Sequence, residues 1–477
     1  MIRSFMLLGV AAIFAPAVQD PAPAKDPADE YKERVAKIKE NLAEEHFKVG
    51  EYLNGMSMFR WARDEYRKSI GFKSDHKEAR ARLGYMVKDG EWEPDPNAAV
   101  ESENKKAGGE GEKIRAEYDK KIQKLGQTMA KQWADLGGWC EKNKMKAESE
   151  AAWKLAIEYD PLNSDSRKKL GYTKQKDGPW LSKFEVAFRK AVKDGLAKAP
   201  SGGPHKEETQ VEMDLGWKHT KRSSTHFIVE VQGKDQDWLK EEVKHGEHAF
   251  AMFHKLFDLK EELWSQKLDC ILVKDRSAHE QYVDKYVQTD SVRKKWMKEK
   301  TGGLNGFPSS ERILGEDPNV HDWMIHHTVQ NLSEHMVGGQ RIWLHEGMAY
   351  HFTVLMLESA LSSCIDLGGT GSDGVRRDYR KADDWPIILR QLVKDGKDPV
   401  MLKVFKCKEW AELDGAQAVK SWSMVQFLIT EHRERFMEFL SKIRGQKEDE
   451  DEKALLDVFG WTLEDFDVKW KTYIRAS

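Results

Sequence analysis

Two short segments carry the residue types that could do chemistry in this chain. The first holds His326 and His327, and the second, twenty positions after His326, holds Glu346. Imidazole nitrogens and carboxylate oxygens are common protein ligands of zinc. Six of the sixteen histidines lie between positions 321 and 351, namely His321, His326, His327, His335, His345 and His351. The chemistry to consider first is therefore metal binding between two segments that both have a helical pattern.

Helix geometry limits which of these residues could share a metal ion. Residues four apart on a helix lie about 40° from each other, so position 330 would have to supply the partner of His326. That position holds Gln330, and a neutral amide is a poor zinc ligand. His327 points about 100° away from His326. Asp322 lies four residues before His326 and could add a carboxylate, giving an Asp322–His326–Glu346 site.

The two segments resemble the zinc-binding helices of the gluzincin metallopeptidases, in particular their peptidase MA-like branch. The most specific part is the run from Trp343 to Tyr350, which reads Trp-Leu-x-Glu-Gly-x-Ala-Tyr. In the family pattern, His-Glu-x-x-His supplies two zinc ligands and a general base, and a later Glu supplies the third ligand. The resemblance extends from about Gly216 to the C-terminus and implies zinc-dependent peptide hydrolysis where all of these residues are present.

Carried over residue by residue, the resemblance gives an incomplete site. His326 takes the first ligand position and Glu346 the third. Gln330 stands where the second ligand histidine belongs, and His327 stands where the general base belongs. Loss of acid–base help alone costs on the order of 10²–10⁴-fold in rate. We therefore predict no catalytic residue, an inactive peptidase-like domain and no bound cofactor, with zinc as the ion if one binds. The alternative is an active zinc peptidase with non-standard ligands.

The clustered histidines allow two interpretations. They could form a remodelled metal site, or they could be hydrogen-bonded and surface histidines of an inherited scaffold. His345 and His351 flank the face of Glu346 rather than sharing it, and His335 falls opposite His326 on a continuous helix. The sequence favours the second interpretation.

The N-terminal half contains an internal repeat. The triplet Leu-Gly-Tyr at 83–85 recurs at 170–172, and counting back from these triplets aligns Gly50 with Gly137 and Tyr66 with Trp153. The spacing resembles the tetratricopeptide repeat, in which a small residue lets two helices approach and a large one fills the adjacent space. We predict a helical region at 28–198, with units at about 43–92 and 130–180. Ordinary helical hairpins are the alternative.

The pattern changes after a Pro- and Gly-rich linker at 199–210. The remaining domain, 211–477, has strand patterns at 225–231 and 268–274, an amphipathic helix at 235–259, and one or two short strands at 302–314. From 322 onward the pattern is almost entirely helical. We therefore predict an α+β protein, with tetratricopeptide-like helical repeats followed by a gluzincin-like domain of a small sheet plus helices.

Residues 1–20 have the layout of a signal peptide, and no later segment is apolar enough to cross a membrane. We expect an exported protein, periplasmic or secreted. The net charge is −3 with interleaved signs, which argues against nucleic acid as a partner. The predicted partner is a peptide or protein, held by the helical repeats or the peptidase-like cleft. The four cysteines, Cys140, Cys270, Cys364 and Cys407, are expected to be buried thiols, although Cys364 and Cys407 could pair.

Overall fold

The structure, a computed structural model, describes residues 26–98, 101, 103–106, 108–175, 179–314, 320–339, 341–361, 367–370 and 376–476. The predicted signal peptide at 1–20 and Cys364 lie outside these residues. The chain mixes helices with small sheets, which confirms the α+β prediction. It divides into two compact units, one ending at Asp160 and the other beginning at Pro161.

The first unit is built from helices and one short β-hairpin. Its elements are α1 (Pro27–Gly55), α2 (Phe59–Phe72), α3 (Lys77–Arg82), β1 (Tyr85–Lys88), β2 (Glu91–Pro94), α4 (Gly108–Lys142) and α5 (Lys146–Tyr159). Helix α1 packs along α2, α4 packs along α5, and α1 also contacts α4. The unit is thus two helical hairpins joined through their longer helices.

Each hairpin closes on a glycine and an aromatic ring. A Cβ at Gly50 would lie 2.5 Å from Cε1 of Tyr66, and a Cβ at Gly137 would lie 2.4 Å from Nε1 of Trp153. Both contacts are too close for any side chain larger than hydrogen, so the ring packs directly against the helix backbone. The two aligned residue pairs therefore perform the same packing role, as the sequence predicts.

The repeat continues past the hairpins in the order of elements. The second unit begins with α6 (Ser164–Lys169) and the short pair β3 (Thr173–Lys174) and β4 (Trp180–Leu181), matching α3, β1 and β2 of the first repeat. Gly84 and Gly171 occupy equivalent turns with φ of 82° and 78°. Only glycine adopts this conformation without strain, which explains its place in both Leu-Gly-Tyr triplets.

The second unit places a six-stranded sheet before a series of helices. Its first elements after β4 are α7 (Lys183–Gly195), β5 (Gly203–Pro204), α8 (Gln210–Leu215), β6 (Thr220–Ser223), β7 (Phe227–Val231), α9 (Gln236–Phe257), β8 (Leu268–Val273), α10 (Arg276–Tyr286), α11 (Ser291–Lys300), β9 (Gly303–Leu304) and β10 (Ser309–Ile313). The sheet order is β5-β6-β7-β8-β10-β9. The β7–β8 and β8–β10 pairs are parallel and the others are antiparallel.

The helical part of this unit begins with the two segments that carry the candidate site. Its elements are α12 (Val320–Val337), α13 (Ile342–Leu357), β11 (Gly368–Thr370), β12 (Arg376–Asp378), α14 (Trp385–Asp395), α15 (Met401–Phe405), α16 (Gly415–Ile443), α17 (Asp451–Phe459) and α18 (Leu463–Ala476). Helix α12 packs between α9 and α13, and α13 packs on α16.

The amphipathic pattern in the sequence predicted α9, and the apolar strand patterns predicted the central strands of the sheet. The predicted apolar face of α9 is buried at Leu239, Val243, Phe250, Phe253 and Phe257. This helix connects the parallel strands β7 and β8, as a parallel pair requires a crossover. Strand β6 has the polar sequence Thr-Lys-Arg-Ser and gives no apolar alternation, so sequence patterning did not find it. The predicted linker at 199–210 includes β5, which pairs with β6.

Cys140, Cys270 and Cys407 are buried free thiols. Within the described ranges, none of the helices combines the length and apolar character needed to span a bilayer.

Candidate functional site

Helices α12 and α13 bring His326 and Glu346 together. Nε2 of His326 lies 3.4 Å from each of the two carboxylate oxygens of Glu346. His326 is 2 % exposed and Glu346 is fully buried. His326 Nδ1 and Glu346 Oε2 have no hydrogen-bond partner of good geometry. The structure thus joins the first and third ligand positions of the peptidase-like pattern in the buried interior between the two helices.

Gly347 sets how deeply Glu346 is buried. A Cβ at position 347 would lie 2.6 Å from the Ser421 carbonyl oxygen and 2.7 Å from Cγ2 of Val425, both on α16. Hydrogen at this position lets α13 lie directly against the α16 backbone. The small residue after Glu346 therefore fixes the helix that carries the carboxylate, in line with the close packing that the sequence predicts.

Gln330 fills the position of the second ligand with an amide. It is 3 % exposed, and its Oε1 accepts a hydrogen bond of 3.3 Å from Nδ2 of Asn305, in the segment between β9 and β10. The carbonyl that would have to bind an ion is thus in contact with a neutral donor. An amide oxygen held in this way competes poorly with imidazole for zinc.

His327, at the general-base position, faces the sheet. Its Nε2 contacts the Ser310 hydroxyl on β10, and its ring stacks on Trp323 at 5.3 Å between centroids. Ser310 Oγ also donates to the Gly306 carbonyl at 2.6 Å, and Nδ2 of Asn331 lies 3.0 Å from Nε2 and 3.2 Å from Nδ1 of His327. Burial lowers the pKa of His327 to about 3. The imidazole is therefore neutral, and it is held between Ser310 on the sheet, Asn331 and Trp323.

Asp322 is engaged elsewhere. It lies within the first turn of α12, and its Oδ2 accepts hydrogen bonds from Ser359 Oγ at 2.5 Å and from the Leu361 backbone N–H at 3.0 Å. The carboxylate thus ties the start of α12 to the residues after α13. The structure does not group it with His326 and Glu346, so the Asp322–His326–Glu346 arrangement is not formed.

Three further histidines of the cluster have structural surroundings. Nδ1 of His345 lies 2.7 Å from Ser333 Oγ, and Nε2 of His345 donates to the Gly339 carbonyl at 3.2 Å. His335 donates from Nδ1 to the Asn331 carbonyl at 2.8 Å. Burial lowers the pKa of His345 to about 4 and that of His351 to about 3. These three are packed, neutral or hydrogen-bonded side chains, as the scaffold interpretation expects.

Sequence reasoning did not single out Glu334, which follows Gln330 by four residues on α12. Burial raises its pKa to about 7, and the charge of Glu346 adds to this rise. The spacing 326, 330, 334 is the signal that could have identified it, because residues four apart share one helix face.

Sequence reasoning also missed a cluster of Glu242, His245 and His321. One ligand-type atom from each residue lies within 4.8 Å of the others, and within the described residues no other group of three or more His, Cys, Asp or Glu meets this distance. Glu242 and His245 form a Glu-x-x-His pair on α9, a spacing that places both side chains on one face. That spacing was the available signal, but the partner on α12 depends on the tertiary fold.

No family model matches the chain, and no curated protein is similar enough to it to count as a match.

Proposed function

We propose that this is an exported, non-hydrolysing protein in which tetratricopeptide-like repeats precede a degenerate gluzincin-type metallopeptidase domain, and that it binds peptide or protein partners. The observation that carries the proposal is the state of the three ligand positions. His326 and Glu346 contact each other, while Gln330 contacts Asn305. A zinc peptidase needs three protein ligands and an open position for water.

The general base that a zinc peptidase needs is missing as well. The general base of a zinc peptidase takes a proton from zinc-bound water and delivers it to the leaving amine. Here that position holds His327, whose Nε2 contacts the Ser310 hydroxyl on β10. A neutral imidazole packed against the sheet is not positioned to take a proton from the water that attacks the peptide. Burial of His326, Gln330 and Glu346 below 4 % exposure also keeps a peptide substrate away.

The binding role rests on the first unit. Its two helical hairpins repeat the same glycine–aromatic closure, at Gly50 with Tyr66 and Gly137 with Trp153. Stacked hairpins of this kind offer extended surfaces to peptides and proteins. The repeated hairpins therefore favour recognition of a peptide or protein without cleavage.

The alternative, an active zinc peptidase with non-standard ligands, has the His326–Glu346 contact in its favour. It requires a third donor beside this pair. Gln330 and Asp322, which lie four residues on either side of His326 on α12, both contact other donors in this structure.

A peptide library incubated with the purified full chain tests the proposal. New chain termini are counted by mass spectrometry with zinc and with chelator, and retained peptides are recovered by gel filtration. We expect retained peptides and no zinc-dependent termini. The matched control is Glu346→Gln, which removes the carboxylate ligand at nearly constant volume. Zinc-dependent cleavage that disappears in Glu346→Gln would overturn the proposal.

A further inference from the structure

A second, independent group of ligand-type side chains joins α9 to the start of α12. Glu242 and His245 lie three residues apart on α9, and His321 is the second residue of α12. One ligand-type atom of each lies within 4.8 Å of the other two. Oε1 of Glu242 is 3.0 Å from Nδ1 of His321, and the rings of His245 and His321 stack with centroids 4.2 Å apart.

The carboxylate of Glu242 is buried without adequate partners. The residue is 1 % exposed, and neither oxygen makes a hydrogen bond of good geometry. Its only charged neighbour at ion-pair distance in the described chain is His321, whose side chain is 48 % exposed. A buried carboxylate without hydrogen bonds is costly, so proteins normally satisfy it with donors or a cation.

His245 is oriented as metal-binding histidines are. Its Nδ1 donates to the Glu241 carbonyl at 2.8 Å, which leaves Nε2 with the free lone pair. A histidine ligand almost always donates its other ring N–H to a backbone carbonyl, a carboxylate or water, because this fixes the tautomer and the ring orientation. His245 is 6 % exposed, so packing also holds the ring in place.

We propose that Glu242, His245 and His321 bind a first-row divalent cation, with zinc as the ion that best suits two imidazoles and one carboxylate. The donor set matches the three-ligand sites that zinc forms in proteins. His321, half-exposed at the helix start, moves inward to complete the ligand set, and a water occupies the fourth position on the exposed side. The bound ion then neutralises Glu242 and fastens α9 to α12.

This site does not depend on the His326–Glu346 pair. His321 and His326 are five residues apart, which separates them by about 140° around α12. One face of α12 turns to α9 and the other to α13. The two groups can therefore be tested separately, and zinc at the triad leaves the proposed absence of peptidase activity unchanged.

Zinc titration of the tag-free, chelator-treated full chain tests the site. Calorimetry should give one zinc equivalent, and Co²⁺ should produce the visible absorption of a low-coordinate site. His321→Ala, which alters a half-exposed side chain, should lower zinc affinity at least about 10-fold, since even outer partners of metal ligands matter by 10- to 100-fold. Glu242→Gln should do the same while keeping the fold, because it removes a buried charge.

Two matched controls separate this site from other zinc binding. His205→Ala removes a half-buried histidine of the same unit, and Glu346→Gln removes the carboxylate of the peptidase-like pair; both should bind zinc like the natural chain. Absence of zinc uptake by the natural chain would overturn the proposal. Affinity unchanged in both His321→Ala and Glu242→Gln would overturn it as well, as would loss of zinc in Glu346→Gln alone.

Discussion

Nε2 of His326 lies 3.4 Å from both oxygens of the Glu346 carboxylate, although the two residues belong to different helices. The two residues thus meet across α12 and α13, while position 330, four residues after His326 on α12, holds an amide. The missing ligand can therefore be restored by a substitution at position 330, which tests the peptidase-like interpretation directly.

Gln330→His should create zinc binding at the peptidase-like pair. An imidazole at position 330 lies about 40° from His326 and gives three ligands with Glu346. Zinc uptake is measured by calorimetry in a His321→Ala background, so that the Glu242 cluster does not contribute. Gln330→Asn is the matched control, because it keeps an amide. If zinc uptake is the same in both variants, the site has been remodelled beyond position 330.

Addition of His327→Glu to Gln330→His tests the general-base position. Glutamate at 327 loses the contact with Ser310 and supplies the carboxylate that zinc peptidases use. We expect zinc binding to persist and no zinc-dependent termini to appear in a peptide library, because burial of the site still keeps a peptide substrate away. New zinc-dependent termini in this double variant would contradict the exclusion of substrate by burial.

Gly137→Ala should destabilise the first unit by about 1–3 kcal/mol, as expected for overpacking. The new Cβ would lie 2.4 Å from Nε1 of Trp153, so ring or backbone must move. Gly138→Ala is the matched control one residue away, since its Cβ meets nothing within 4 Å and alanine favours the helix by about 1 kcal/mol. Urea unfolding should therefore shift in opposite directions for the two variants. Equal shifts would contradict the packing role of Gly137.

Gly347→Ala should cost a similar amount, about 1–3 kcal/mol, in the second unit. Its Cβ would meet the Ser421 backbone carbonyl at 2.6 Å, which cannot rotate away. Gly246→Ala, on α9, is the comparison, because its Cβ would meet only side-chain atoms of Met324 and Phe227 at 3.0 Å. Thermal unfolding should show the larger loss for Gly347→Ala. A larger loss for Gly246→Ala would place the tighter helix contact at α9.

Glu65 should make the stability of the first unit sensitive to acid. It is fully buried, with Oε2 2.7 Å from His46 and Oε1 2.8 Å from both Lys68 and Tyr118. Burial alone raises its pKa, but Lys68 and His46 outweigh burial and lower the pKa from 4.5 to about 2. A lowered folded-state pKa stabilises the protein above the unfolded pKa, and this contribution disappears as the pH falls from about 4.5 to 2.

Glu65→Gln should therefore cost about 3 kcal/mol near neutral pH, and the difference from the natural chain should shrink below about pH 4.5. Urea unfolding at a series of pH values measures this. Glu45→Gln is the matched control, because Glu45 makes an exposed ion pair with Lys48 and should change stability by less than about 1 kcal/mol. A difference that stays constant down to pH 2 would show that the pKa of Glu65 does not change on folding, which would contradict this prediction.

Local patterns were enough for much of the fold. The apolar period of 235–259 predicted α9 within two residues at each end, and the strands β7, β8 and β10 fall inside their predicted segments. Burial of one helix face or of a whole strand leaves a periodic trace in the sequence. Strand β6 left no such trace, because its residues Thr220–Ser223 are polar and are defined by pairing with β7.

By itself, the sequence determined the α+β class and the repeated glycine–aromatic hairpins, because both depend on spacing along a helix or strand. The pairing of His326 with Glu346 was expected only from the resemblance to the gluzincin pattern, since the two residues lie on different helices. The tertiary structure alone decided where the side chains of Asp322, Gln330 and His327 are directed, since their hydrogen-bond partners come from distant segments. It also brought His321 to Glu242 and His245. Contacts between helices remote in the chain are set by packing of whole faces, which no local pattern encodes.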